Sequence, residues 1–225
     1  MYIPAQHRVT DRQELIQFIR THSFATLITS GSGTDAPPEA THLPLLLVED
    51  NSTSDGGLRL TGHFARANPH WKHATAQPVR AIFHGPHAFI SAAWYAERNV
   101  VPTWNYVAVH VVGRLTYIEN PVELRELLDQ MVQAYEHQRA EPHLEGTPQT
   151  TDRPWATETV TPEYLASMMN AIVGFSIEVQ EIEGKWKLNQ HHSEDRKIRT
   201  IASLRDRGMP DDLAIADLME ATLLR

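Results

Sequence analysis

From residue 24 to residue 119 the apolar positions fall in short runs, several of them alternating with polar residues, divided by glycine, proline, serine and asparagine. That pattern predicts half-buried strands over 24–30, 40–49, 58–61, 79–85, 88–95 and 104–119. Gly85-Pro86-His87 sits at hairpin distance between two of these runs. Pro44 cannot donate to a ladder, which suits an edge. Gly113 suits a bulge where a barrel bends. The period changes elsewhere. A helix is expected over 11–20, where Asp11 and Glu14 have capping-box spacing ahead of Leu15, Ile16, Phe18 and Ile19. A second is expected over 120–139, with Leu124, Leu127, Leu128 and Met131 on one face. Proline-rich 140–162 reads as a loop or linker, 162–171 as a short helix and 174–188 as strand alternation about Glu183-Gly184 that closes the sheet. The last thirty residues predict two helices separated by Gly208-Met209-Pro210. Closely spaced strands of this kind predict a closed antiparallel barrel, mainly β with packed helices. The expected organisation is a barrel domain over 1–190, including the covering helix 120–139 and loop 140–162, and a C-terminal helical extension over 191–225.

The stretch 58–72, LRLTGHFARANPHWK, predicts a strand ending at Thr61 that passes through Gly62 into a short helix, with Asn68 as N-cap and Pro69 in the first turn. Free backbone N–H groups at a helix start attract phosphate, and Thr61, His63 and Arg66 add a hydroxyl, an imidazole and a bidentate guanidinium. The plainer alternative is a capped strand-to-helix corner, with Arg66 a surface residue of little consequence for folding.

Composition narrows the choices. The 225 residues hold no cysteine, which excludes disulfides, thiolate metal sites and a cysteine nucleophile and agrees with a cytoplasmic protein. No apolar run is long enough to cross a membrane. The formal charge of −8 repels nucleic-acid backbones. Arg196, Lys197, Arg199, Arg205 and Arg207 are interleaved with acids, so they read as a solvated helix face.

Thirteen histidines suggest a metal, yet none lies in a helical metal-binding motif. His70 and His73, three apart, read as a solvated surface more readily than as ligands. GxSxG and GxxxxGK[ST] are both missing, so neither a serine triad nor a phosphate-binding P-loop is indicated. Trp94, Trp104, Trp155 and Trp186 read as core or interface anchors. Trp104-Asn105 and Trp186-Lys187 also pair a flat ring with a polar group, as a heterocycle site requires.

Five segments in order, MYIPAQH, THLPLLL, LTGHFARANPHW, VPTWNY with VGRL, and GKWKLNQ, resemble the PaiB-type FMN-binding negative transcriptional regulators of the FMN-binding split-barrel superfamily. The resemblance implies a homodimer with FMN in a groove between subunits and its phosphate held at Thr61 and Arg66, with Gly62, His63 and Asn68 alongside. It further implies that His42 and Leu43 line the flavin ring, and that Trp104, Asn105, Trp186 and Lys187 come from neighbouring strands or the partner subunit. Regulation of transcription, and any contact with DNA, are implied by the resemblance alone. Two other activities remain open. One is a flavin-dependent oxidoreductase acting on a small heterocycle or NAD(P)H, and the other is haem binding.

Overall fold

The structure, a computed structural model, describes residues 1–31, 35–50, 57–75, 77–139 and 154–223. Part of the expected loop before residue 40, the connection 51–56 and most of the linker, 140–153, lie outside the described residues. The strands are β1 (Arg8–Val9), β2 (Phe24–Thr29), β3 (Glu39–Pro44), β4 (Leu46–Asp50), β5 (Gly57–Ala65), β6 (Pro78–Ile90), β7 (Thr103–Ile118) and β8 (Ile172–Lys187). The helices are α1 (Arg12–Thr21), α2 (Pro121–Arg139), α3 (Pro162–Asn170), α4 (Glu194–Arg207) and α5 (Pro210–Ala221). Seven strands follow the order β3-β2-β6-β7-β8-β5-β4, and β1 pairs with β8. The two ends of that path, β3 and β4, are consecutive in the chain and separated only by Leu45, so the sheet turns back towards its own start. This is the antiparallel β architecture with packed helices that the strand pattern predicts, in the split-barrel form that the resemblance implies.

The chain forms two compact units, residues 1–25, 81–111 and 181–225 in one and residues 26–80 and 112–180 in the other. In the second unit, β5 buries Leu58, Leu60, Gly62 and Phe64 on one face and pairs antiparallel with β8, with Thr61 opposite Ser176 and His63 opposite Gly174. Its α2 buries Leu124, Leu127 and Met131 against Leu46, Ile118, Met169 and Ile172, the apolar face that its 3.6-residue periodicity predicts.

In the first unit, Asp11 caps α1 by accepting from the Gln13 and Glu14 amides at 2.8 and 3.3 Å. Gly208, at φ +71°, ends α4 in the left-handed conformation, and Pro210 opens α5. Arg207 forms a bidentate pair with the buried carboxylate of Asp212 and lies 5.0 Å over the Trp94 ring. Arg196 and Arg199 pair with Glu97, and Arg205 with Asp217 and Glu220. The four arginines of α4 are therefore charge-matched, in keeping with its interleaved acids, whereas Lys197 is buried, which corrects its reading as part of a solvated face.

Several local expectations are overturned. The hairpin at Gly85-Pro86-His87 is absent, and β6 runs straight through it. A side chain at Gly85 would come within 2.5 Å of Val107 and 2.8 Å of Phe18, so this glycine serves close packing and does not make a turn. Residues 92–95 form a 3-10 turn, with Ser91 Oγ accepting from the Ala93 amide, in place of the end of a strand. The run 40–49 is two strands. The strand at 58–61 continues to Ala65, and β8 does not turn at Glu183-Gly184, where Gly184 pairs with Val9 and packs on Leu15. At Gly113, an added Cβ would meet the Glu178 carbonyl oxygen at 2.2 Å, so close approach of β8 accounts for that glycine.

Candidate functional site

The corner leaving β5 is built on a side-chain network. Asn68 Oδ1 accepts from the His70 amide at 3.1 Å, and its Nδ2 donates to Thr41 Oγ1 at 2.9 Å. His70 lies between two hydroxyls, with Nδ1 2.8 Å from Thr41 Oγ1 and Nε2 2.9 Å from Thr29 Oγ1. The residue is 2% exposed, which corrects the solvated reading. Burial holds its imidazole below the ordinary histidine pKa, with Glu39 opposing and His73 adding to the shift. A neutral ring has one donor and one acceptor nitrogen, and each faces a hydroxyl able to take either role. His73 is half-buried beside Glu39 at 3.2 Å.

The helix expected after Pro69 is a single 3-10 turn, Pro69–Lys72. A turn this short has almost no aligned dipole, and Asn68 already occupies one of its free amides, so the helix-start argument for an anion falls away. Anion affinity here rests on side chains. Arg66 is exposed, but its Nε donates to the Asn170 carbonyl and its Nη2 to the Ile172 carbonyl, each at 2.7 Å. The guanidinium is thereby fixed in orientation, with no partner for Nη1 among the described residues. Arg66 also ties the corner to the start of β8, which corrects its reading as a residue of little consequence for folding.

The other proposed residues differ widely in accessibility. Leu43 and Gly62 are buried, and a Cβ on Gly62 would meet Leu45 at 2.9 Å and Phe175 at 3.2 Å, so its missing side chain serves core packing. Thr61 is half-buried and donates weakly to the Leu46 carbonyl at 3.4 Å. Its neighbour on the same face of β5, His63, is held neutral by burial, and its Nδ1 is buried with no partner among the described residues. His42 is exposed, with Nδ1 3.0 Å from Thr26 Oγ1. Thr61 and Arg66 line different cavities, of about 730 and 790 Å³.

In the first unit Trp104 is 51% exposed and meets Phe89, 40% exposed, edge-on at 6.0 Å and His87 at 5.8 Å. Asn105 is fully buried, its Nδ2 donating to Met219 Sδ at 3.3 Å and its Oδ1 unpartnered among the described residues. Trp186 is buried against Phe18 at 5.0 Å. Lys187 donates to Thr103 Oγ1 at 2.6 Å, and burial lowers its pKa against the opposing effect of Tyr106, with Lys185 adding to the lowering. Beyond β8, Gln190 accepts from the Leu188 amide at 2.9 Å, donates to the Trp186 carbonyl at 2.5 Å and meets His7 Nδ1 at 2.8 Å.

Over residues 1–181 the chain matches the family model described as "Putative FMN-binding domain". It is 38% identical over 224 residues to Protease synthase and sporulation protein PAI 2 of Bacillus subtilis, covering 99% of this chain and 98% of that one. The chain belongs to the PaiB-type FMN-binding family. Two solved structures share the fold at TM-score 0.54. One is the flavocytochrome Anf3 from Azotobacter vinelandii, 16% identical, covering 85% of this chain and 74% of that one. The other is an FAD and heme binding protein from Mycobacterium smegmatis, 17% identical, covering 80% and 73%. FMN is the cofactor of the PaiB-type domain, and this chain's side chains suit a phosphate ester: the oriented Arg66, whose Nη1 has no partner among the described residues, and the neighbouring exposed Lys72.

The sequence reading missed Thr29, Thr41 and His70 as the frame of the corner. The available signal was Asn68 two residues before His70, since a side chain that caps a turn also fixes the residues within that turn. Nothing in the sequence pointed to Thr29 and Thr41, which lie 41 and 29 residues from His70.

Proposed function

We propose that this protein is a homodimeric FMN-binding regulator that represses transcription, with the flavin phosphate bound at the Arg66 corner. The observation that carries the reading is the side-chain frame Thr29–His70–Thr41–Asn68, which prearranges the corner beside a guanidinium already oriented by two carbonyls. Preorganisation of this kind lowers the ordering cost of binding. The full-length similarity to PAI 2, whose name links it to protease synthesis and sporulation, supports the regulatory part.

In this reading Arg66 and Lys72 bind the phosphate, His42 and the backbone at Leu43 line the ring, and Asn68 holds the corner in register through Thr41. Thr61, Gly62 and His63 shape the strand beneath. FMN supplies a redox-active, planar ring when bound, while the protein's residues orient it and exclude water. Trp104 and Phe89 anchor the dimer, since two large exposed aromatics in edge-on contact suit the centre of an interface. Trp104 and Lys187 belong to the partner-facing side of the site, while Asn105 and Trp186, buried against Met219 and Phe18 of the same chain, support that side from beneath and do not face the partner as expected. The charge of −8 and the paired arginines of α4 favour regulation through a partner or effector over a broad DNA-contacting face.

The test combines flavin titration with a reporter. FMN is expected to bind the wild type far more tightly than riboflavin, and deletion of the gene is expected to raise expression of its targets, restored by the wild type and not by Arg66→Ala. Equal FMN and riboflavin affinities remove the phosphate assignment. Multiple-turnover NAD(P)H oxidation by the FMN-loaded protein, with no effect of deletion on expression, moves the protein to the oxidoreductase class.

A further inference from the structure

In the first unit, the start of the chain meets the residues that follow β8 in a place that the flavin reading leaves out. His7 ends the 3-10 turn Ala5–His7, is 5% exposed, and has its Nδ1 2.8 Å from Gln190 Oε1. The backbone fixes which way that amide faces. Gln190 Oε1 accepts from the Leu188 amide at 2.9 Å while its Nε2 donates to the Trp186 carbonyl, so a flipped amide would lose both bonds. An amide oxygen only accepts, and His7 Nδ1 therefore carries the proton. Burial, opposed by the Gln190 bond and reinforced by His191, Lys185 and Lys187, holds the imidazole below the ordinary histidine pKa. The ring is thus neutral at neutral pH, with a lone pair on Nε2.

That Nε2 has no hydrogen-bond partner among the described residues, and it is not sealed from solvent as Nδ1 of His63 and of His192 are. His7 lines a cavity of about 370 Å³, within the roughly 300–1,000 Å³ usual for small-molecule sites. Val9, Trp186 and Leu188 give this cavity its apolar surface, and exposed Gln6 and Thr10 lie at its rim. An accessible lone pair in such a setting calls for a donor. The surrounding charges decide what carries it. Arg8 stands against Asp11 and Glu14 in the lining, and Asp11 Oδ1 is already spent on capping α1. Lys185 and Lys187 act on His7 from outside the lining, so the mixed field favours neither an anion nor a cation. What fits is a neutral molecule with one strong O–H donor on a flat apolar body, which describes a phenol.

We infer that this cavity is a binding site for a small neutral phenol, its O–H donating to His7 Nε2 and its ring lying along Trp186 and Leu188. Gln190 is the positioning residue, because it fixes the tautomer that leaves Nε2 as the acceptor. The inference does not depend on where FMN binds, since neither His7 nor Gln190 is assigned to the flavin.

4-Ethylphenol is the probe and 4-ethylanisole, whose oxygen carries a methyl group in place of the proton, is the control. Both are titrated by calorimetry into the full-length FMN-loaded protein, with nitrogen-labelled histidine followed by NMR. The His7 signals, identified by their loss in His7→Phe, are expected to show the proton on Nδ1, and 4-ethylphenol is expected to shift Nε2. 4-Ethylphenol is expected to bind saturably at one site per chain, and the ether about tenfold more weakly for want of one hydrogen bond. Thr10→Trp, at the exposed rim, is expected to weaken 4-ethylphenol about tenfold or more by filling the cavity, with FMN affinity and unfolding midpoint unchanged. His7→Phe keeps a ring and is expected to bring 4-ethylphenol down to the affinity of the ether while leaving the ether alone. Absence of saturable binding at millimolar 4-ethylphenol, or full affinity in Thr10→Trp, overturns the site. Equal affinities for phenol and ether, or a proton found on His7 Nε2, overturn the ligand class.

Discussion

Two exits from long strands, one in each compact unit, solve the same problem differently. The corner after β5 and the turn after β8 each follow a strand, lie next to residues of the proposed flavin site and carry a histidine, buried at the first and partly exposed at the second. At the first, both nitrogens of His70 meet threonine hydroxyls, and Asn68 completes the frame. At the second, His192 stacks edge-on against Tyr95 and His191, yet its Nδ1 has no partner among the described residues. Burial raises the pKa of the Tyr95 phenol, with Asn189, itself buried at φ +60°, and Arg196 opposing, and neither Asn189 Nδ2 nor Tyr95 Oη has a hydrogen-bond partner among the described residues. The first corner is complete as it stands. The second keeps unmet polar groups, so its stability is the more sensitive to pH and to neighbours.

The largest expected effect breaks the first corner. His70→Ala leaves a void and strands two hydroxyls, and a loss of about 2–4 kcal/mol is expected in urea unfolding. His192→Ala, which strands no established partner, is expected to cost about 1 kcal/mol or less by the same measurement. Equal losses would erase the distinction between the two regions.

Arg66→Ala comes next. FMN affinity is expected to fall tenfold to a hundredfold, about 1.5–3 kcal/mol, for loss of a charge-assisted contact. Riboflavin affinity is expected to change little. The flavin-free protein is also expected to lose about 1–2 kcal/mol, because the Asn170 and Ile172 carbonyls lose their donor. If both flavins weaken alike in fluorescence titration, the corner acts on the ring or on the fold and not on the phosphate.

Trp104→Ala sharpens the comparison on the first unit's surface. Truncating a central aromatic anchor is expected to weaken self-association by about 2 kcal/mol, seen by sedimentation as dissociation at roughly thirtyfold higher concentration. A change in stability of the monomer with no change in association would assign Trp104 to the fold.

The last effect is on pH dependence. Burial first, with His191 and Arg196 adding and Glu97 opposing, pushes His192 down to about 4. Burial likewise lowers His70 and His63. A histidine kept neutral in the folded chain binds its proton more readily when unfolded. Its stabilisation is present above the ordinary value of about 6.5 and is lost as pH falls from there through the folded value. Stability is expected to decline over pH 6.5 to 4, by at most about 1.4 kcal/mol per pH unit for each histidine and by less for partly exposed His192. His192→Gln is expected to flatten part of that decline in pH-dependent unfolding, and an unchanged slope assigns the acid sensitivity to His70 and His63.

Local chemistry determined much of this protein in advance. Alternation over 104–119 and 24–30 gave strands, Asp11 and Asn68 gave caps, and Gly208 and Pro210 divided the last two helices. These depend on neighbours within a few residues, which a sequence displays directly. Tertiary structure alone decided whether a glycine marks a turn or a tight contact. Gly85, Gly113 and Gly184 lie inside continuous strands because Val107, the Glu178 carbonyl and Leu15 approach them from distant parts of the chain. The same holds for His70, which reads as a surface residue until Thr29 and Thr41 close over it, and for Arg66, whose two fixed bonds come from carbonyls more than a hundred residues away. The cavity beside Tyr117 depends on helix α3 and strand β8, and no local pattern of residues records that approach.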